Sequence, residues 1–198
     1  MPLQNRVDPF GNLVADPARG LLMGNRGGKF HRDDQTLGRR RWASRQWICC
    51  MLSFKGRQRD VWGRHYTELF FLDEVTALAA GHRPCFECRR KDARAFAALF
   101  PGARSADDMD RILHAERLDG NAKRRHRMPV DALPDGVMIA LDGGVFAVRG
   151  ERLLRWTAQG YDSAQARPGA VEVDMLTPPS IAAVLASGYR PQWHPSAG

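Results

Sequence analysis

Thr67–Arg90, TELFFLDEVTALAAGHRPCFECRR, constrains the fold more than any other stretch of the chain. Glu68–Leu72 is apolar and aromatic, as a buried strand requires. Asp73 offers a carboxylate to the free amides of a following first turn, which makes it a candidate N-cap. Thr76–Ala80 favours helix, Gly81 stands where a left-handed residue is wanted, and Pro84 forbids continuation. Cys85-Phe86-Glu87-Cys88 then opens the next helix. Two cysteines spaced in this way can place both thiolates on one tetrahedral zinc, and helix-start amides help to stabilise their charge.

All four cysteines of the 198-residue chain lie between residues 49 and 88. That clustering suits a metal site better than a disulfide framework. Trp47–Phe54, WICCMLSF, reads as a second buried strand, adjacent to TELFFL, that carries Cys49 and Cys50 toward Cys85 and Cys88. Neighbours on a strand point to opposite faces, so only one of Cys49 and Cys50 faces a metal, and Cys50 is the better match. Lys55–Arg64 is the connection between the strands. His65 beside it is the first choice for a missing ligand, and His82 is the second.

The segment FFLDEVTALAAGHRPCFECRR resembles the C-terminal half of the Ada-type metal-binding domain of the adaptive-response alkylation-repair proteins. The shared parts are an aromatic strand, an Ala-rich helix, a Gly-x-Arg-Pro-Cys step and a Cys-x-x-Cys followed by basic residues. The resemblance covers about 24 of the 198 residues. It implies a zinc fold in which Cys85 and Cys88 correspond to the second ligand pair, with a role in DNA repair or damage response. In that family one cysteine accepts a methyl group from a DNA phosphotriester, which makes Cys50 a candidate nucleophile. The family's first pair is two cysteines separated by three residues; here Phe54 stands four positions after Cys50, a departure from that pattern.

Net charge is +8, and residues 1–67 carry thirteen Lys/Arg against five Asp/Glu, so the excess sits in that part of the chain. A basic segment on a folded protein favours polyanions such as DNA or RNA. Arg39, Arg40, Arg41 and Arg45 surround Trp42, an arrangement suited to phosphate pairing and base stacking. Arg89 and Arg90 extend the set of expected contacts. Gly24–Gly28 lacks the spacing of a phosphate-binding loop and reads as a hairpin turn between LLM and KFH. Apolar runs are short of a membrane span and Met1–Arg6 does not begin a signal peptide, so the expected location is the cytoplasm.

The remaining chain continues as helices over Cys88–Phe100 and Ser105–Leu118. Strands are expected at Val137–Leu141, Val145–Val148, Arg152–Trp156 and Val171–Leu176, with a polar loop over Thr157–Ala170. A last helix follows, with Thr177 as N-cap and Pro178 at its first position. His114-Ala115-Glu116 together with Pro84-Cys85 and Cys88 contains the residue types of a zinc deaminase, in reverse chain order. His114, Glu116 and His126 offer a nuclease-like alternative. His114 and Glu116 are therefore candidate catalytic residues, and a purely structural zinc adaptor is the third class. The expected architecture is α+β: an irregular basic arm (1–38), a zinc-stapled sheet-and-helix module (39–128), and a β-rich unit with a closing helix (129–198).

Overall fold

The structure, a computed structural model, describes residues 1–56 and 60–198. The first part of the chain forms β1 (Arg6–Val7), β2 (Leu13–Val14), β3 (Leu22–Arg26), β4 (Trp47–Met51), β5 (Leu69–Phe71), α1 (Glu74–Ala79) and β6 (Arg83–Pro84). Helices α2 (Arg90–Leu99) and α3 (Ala106–Arg117) follow, then β7 (Leu118–Asp119), β8 (Ala122–Lys123) and β9 (His126–Pro129). The rest comprises β10 (Met138–Leu141), β11 (Gly144–Arg149), β12 (Arg152–Thr157), β13 (Gly160–Ala166), β14 (Glu172–Met175) and α4 (Pro179–Ala186). The fold is α+β. One mixed sheet has the order β2-β1-β5-β3-β4-β6, and an antiparallel sheet has the order β13-β12-β11-β10-β14-β9.

Several expectations about the strands need correcting. Residues 1–38 are not an irregular arm: they supply β1, β2 and β3, and every residue of β3 is buried. Gly24 lies within β3 rather than in a hairpin turn, because a Cβ there would stand 2.1 Å from the Ile48 carbonyl oxygen. Glycine here permits close backbone approach, and its presence hid the strand. WICCM and LFF are not neighbours, since β3 lies between them and pairs antiparallel with both. Thr157–Ala170 contains β13, an edge strand that is exposed over most of its length and so has no apolar alternation to betray it. The expected connection Lys55–Arg64 falls partly outside the described residues, at 57–59.

The helix boundaries follow local chemistry. Asp73 Oδ1 accepts from Thr76 N–H at 2.9 Å and caps α1, and Gly81 (φ +86°) follows the helix end. Ser105 caps α3 through Asp108 N–H. Cys85–Cys88 forms a turn ahead of α2 instead of its first helical turn. At α4 the N-cap is Pro178, with Pro179 at the first position; Thr177 instead accepts from Met138 N–H at 2.9 Å.

Every residue of α1 is buried, and a helix that is covered all round belongs between layers. Ala77 and Ala80 pack with Leu69, Phe71 and Leu22 of the first sheet. Val75 and Ala79 pack with Met138, Ala147 and Leu154 of the second. Leu78 joins Phe96, Met109 and Leu113 from α2 and α3 against Ile139, Val148 and α4. The core thus draws on residues from both sides of position 129.

Two carboxylates at the start of α1 hold these layers together. Asp73 also accepts from Tyr161 O–H (2.9 Å) and His194 N–H (3.1 Å). Glu74, 1% exposed, accepts from Arg89 Nη2 (2.8 Å), Tyr189 O–H (2.7 Å) and Gln192 N–H (2.9 Å). Removing one partner of a buried ion pair leaves the other charge uncompensated, so Glu74→Ala should lower unfolding stability by about 3–5 kcal/mol. Urea denaturation of the two proteins checks this; a loss within ~0.5 kcal/mol, typical of a surface change, would show that Glu74 is dispensable.

Candidate functional site

Alternation along β4 sends its two cysteines to opposite faces. Cys49, with no exposed surface, enters the apolar cluster with Leu22 and Phe71. Its Sγ accepts from Arg89 Nη1 at 3.4 Å, and burial pushes its thiol above the ordinary range. Cys50 turns the other way and meets Cys85 and Cys88, the three sulfurs lying within 4.8 Å of one another. The register that achieves this is set by β6, which runs parallel to β4 with Pro84 opposite Cys49. Cys85 N–H then donates to Cys49 O at 3.0 Å, and Arg89 N–H donates to Cys85 O at 3.0 Å. Those two bonds fold the 85–88 turn under β4.

The donor set fits a soft divalent metal such as zinc. Backbone N–H groups already serve the sulfurs: Glu87 N–H donates to Cys85 Sγ at 3.4 Å, and Met51 N–H supports Cys88. Hydrogen bonds from Cys50 and Cys88 hold Cys85 well below the usual thiol range, while the same contacts and burial push Cys50 up. Three thiols this close share protons because they cannot all ionise unaided, and a divalent cation removes that conflict. A tetrahedral zinc on three protein donors keeps one position for water or another ligand. The three cysteines line a cavity of about 440 Å³ together with Asn25, Arg83 and Phe86.

Among the described residues no fourth Cys, His, Asp or Glu joins the group. His65, the expected ligand, is exposed and outside it. His82, the second choice, is fully buried elsewhere: its ring packs on Trp47 (5.0 Å) and Phe71 (4.7 Å). The deaminase-like and nuclease-like constellations are not formed. Glu116 spends its carboxylate on Ser180 at the start of α4, accepting from N–H at 3.0 Å and from O–H at 2.6 Å. His126 Nε2 is 2.9 Å from Glu116 O. His114 lies edge-on to Trp42 and 3.1 Å from Arg117 Nη2, with its pKa lowered by burial and then by Arg117.

Of the expected nucleic-acid contacts, Arg39, Arg40, Arg45 and Arg90 are exposed, and Arg41 and Trp42 are half-buried. Arg89 must be withdrawn. It is 7% exposed, and its guanidinium is committed to Glu74 and Asp92, each at 2.8 Å.

Sequence reasoning missed a second cluster. The guanidinium carbons of Arg26 and Arg117 each stand 3.9 Å from the centroid of the Trp47 ring. Arg26 donates to His82 Nε2, Arg41 O and Gly11 O, and Arg117 donates to Gly81 O and Arg45 O. Lys123 Nζ donates to Ala79 O. A lone arginine in a glycine-rich strand and another at a helix end carry no local mark of burial, so no signal in one sequence reveals this cluster.

Burial, then Arg117 and Arg26, push Lys123 down to about 7. The folded value lies below the unfolded one, so the unfolded chain binds more protons between the two and stability should rise with pH above about 7. The contribution to that slope is at most about 1.4 kcal/mol per pH unit. Denaturation midpoints of wild type and Lys123→Met, compared at about pH 7 and about pH 9, should show a flatter pH dependence in the variant. Identical slopes would mean that Lys123 titrates normally.

Comparison with protein-family models, curated proteins and solved structures finds no match to this chain.

Proposed function

We propose that this is a zinc-thiolate protein that binds nucleic acid, with Cys50, Cys85 and Cys88 as the protein ligands. The observation that carries the reading is the convergence of three sulfurs from two separate elements within 4.8 Å. Zinc there would tie β4 to the 85–88 turn and, through it, to α2. Metal binding then adds directly to folding free energy.

The nucleic-acid half of the reading is supported by the exposed Arg39, Arg40 and Arg45 around Trp42 and by the net charge of +8. Arginine beside an accessible aromatic offers phosphate contacts and a stacking platform without sequence preference. DNA and RNA backbones share this chemistry. The Ada-type resemblance supports a repair or damage-response setting. Methyl transfer by Cys50 is not part of the proposal, because three cysteines converge here where the Ada-type family has two pairs.

Metal analysis of the purified chain tests the first half. About one zinc per chain is expected, retained in Cys49→Ser and lost in Cys50→Ser and Cys85→Ser. A metal-free wild type, or a Cys85→Ser variant that keeps its zinc, would sink the assignment. For the second half, affinity for a single-stranded oligonucleotide should fall with salt, with a log–log slope of about −0.7 per phosphate contact. Replacing Arg39, Arg40 and Arg45 together by Gln should flatten that slope by about 2. Failure to bind any strand at low salt would leave a structural zinc adaptor.

A further inference from the structure

A buried guanidinium with no counter-charge is costly, because a low-dielectric site does not restore its lost hydration. Arg26 and Arg117 are each 1% exposed. Among the described residues neither forms an ion pair with a carboxylate. Their hydrogen bonds go to backbone carbonyls and histidine rings, and Arg117 Nε has no partner. Among the described residues, the two acids that act on them electrostatically contact neither guanidinium. Asp110 gives both oxygens to Arg83, at 2.9 and 2.7 Å, and Asp8 gives both to Asn12, at 2.8 and 2.9 Å.

These two arginines and Lys123 line one cavity of about 380 Å³, which Arg39 and Arg41 also border and, among the described residues, no acidic side chain does. Trp42 and Trp47 form part of its wall. Trp42, Arg39 and Arg41 are shared with a second cavity of about 410 Å³ that also includes Arg40. Several cations without an anion select a ligand of multiple negative charge. An aromatic wall beside them selects a flat ring. A phosphate monoester on a nucleoside carries both features.

We propose that this cavity binds the phosphate monoester of a nucleotide, with Arg26, Arg117 and Lys123 around the phosphate and Trp42 against the base. The phosphate belongs either to the end of a nucleic-acid strand or to a free nucleotide. The strand form rests on the nucleic-acid reading above; the free-nucleotide form does not. Bound phosphate supplies the counter-charge that the protein withholds from Arg26 and Arg117.

Calorimetric titration of the full chain should use adenosine 5′-monophosphate, adenosine, inorganic phosphate, and a thymidine oligonucleotide ending in phosphate or in hydroxyl. The monophosphate, or the phosphate-ended strand, should bind about tenfold or more tightly than its phosphate-free counterpart. Arg117→Met should abolish that preference. Because Arg117 also packs on Trp47, the less buried Lys123→Gln serves as a second variant, with a loss of about tenfold. Preference for the phosphate-ended strand identifies a strand terminus as the source. Binding of the monophosphate with no strand binding identifies a free nucleotide and ends the nucleic-acid reading alone. Equal binding of both strand ends with no monophosphate binding overturns this site and leaves the nucleic-acid reading standing. Binding of no probe, or wild-type affinity in both variants, overturns it as well.

Discussion

Glu74 and Arg89 form an ion pair at 2.8 Å, with side chains 1% and 5% exposed, and the arrangement of the molecule depends on it. Two ions removed from water need excellent geometry and further hydrogen bonds to offset their desolvation. Both are provided: Tyr189 and Gln192 complete Glu74, while Asp92 and the Cys49 sulfur complete Arg89. Because Arg89 directly follows Cys88, the pair fixes where the Cys-x-x-Cys turn sits against β4. Because Tyr189 and Gln192 come from beyond α4, the same carboxylate anchors the C-terminal segment to the first helix. Neighbouring Asp73 does likewise through Tyr161 and His194. The sulfur cluster is thus positioned by a charge network on the opposite face of β4.

Two of the buried charged clusters among the described residues differ in one respect. At Glu74 the buried carboxylate and the Arg89 guanidinium are in contact, and Arg89 also meets Asp92. Around Trp47 the two guanidiniums touch no carboxylate among the described residues, and Asp8 and Asp110 act on them only from beyond contact. That contrast, rather than net charge, distinguishes the cavity bordered by Arg26 and Arg117 from the solvated arginines on the surface.

Much of the sulfur cluster was legible in the chain because its determinants are local. The Asp73 cap, the Gly81 stop, Pro84 and the spacing of Cys85 and Cys88 all act within a few residues, and strand alternation alone separates Cys49 from Cys50. Less accessible were β3, whose Gly24 reads as a turn until Ile48 is known to press against it, and β13, a polar edge strand defined only by its partner. His114 and Glu116 carried a suggestive spacing, but spacing cannot say that Ser180 will claim the carboxylate.

The sequence by itself determined the α+β class, the Asp73 cap and Gly81 stop of α1, and the Cys-x-x-Cys pair, since each follows from short-range backbone and side-chain chemistry. Only the tertiary structure decided which cysteine meets the Cys-x-x-Cys pair across the sheet, which arginines are surface charges, and which are sealed against Trp47. Burial is a property of long-range packing: Arg26, Arg89 and Arg117 look like any other arginine in the chain until residues tens of positions away close over them.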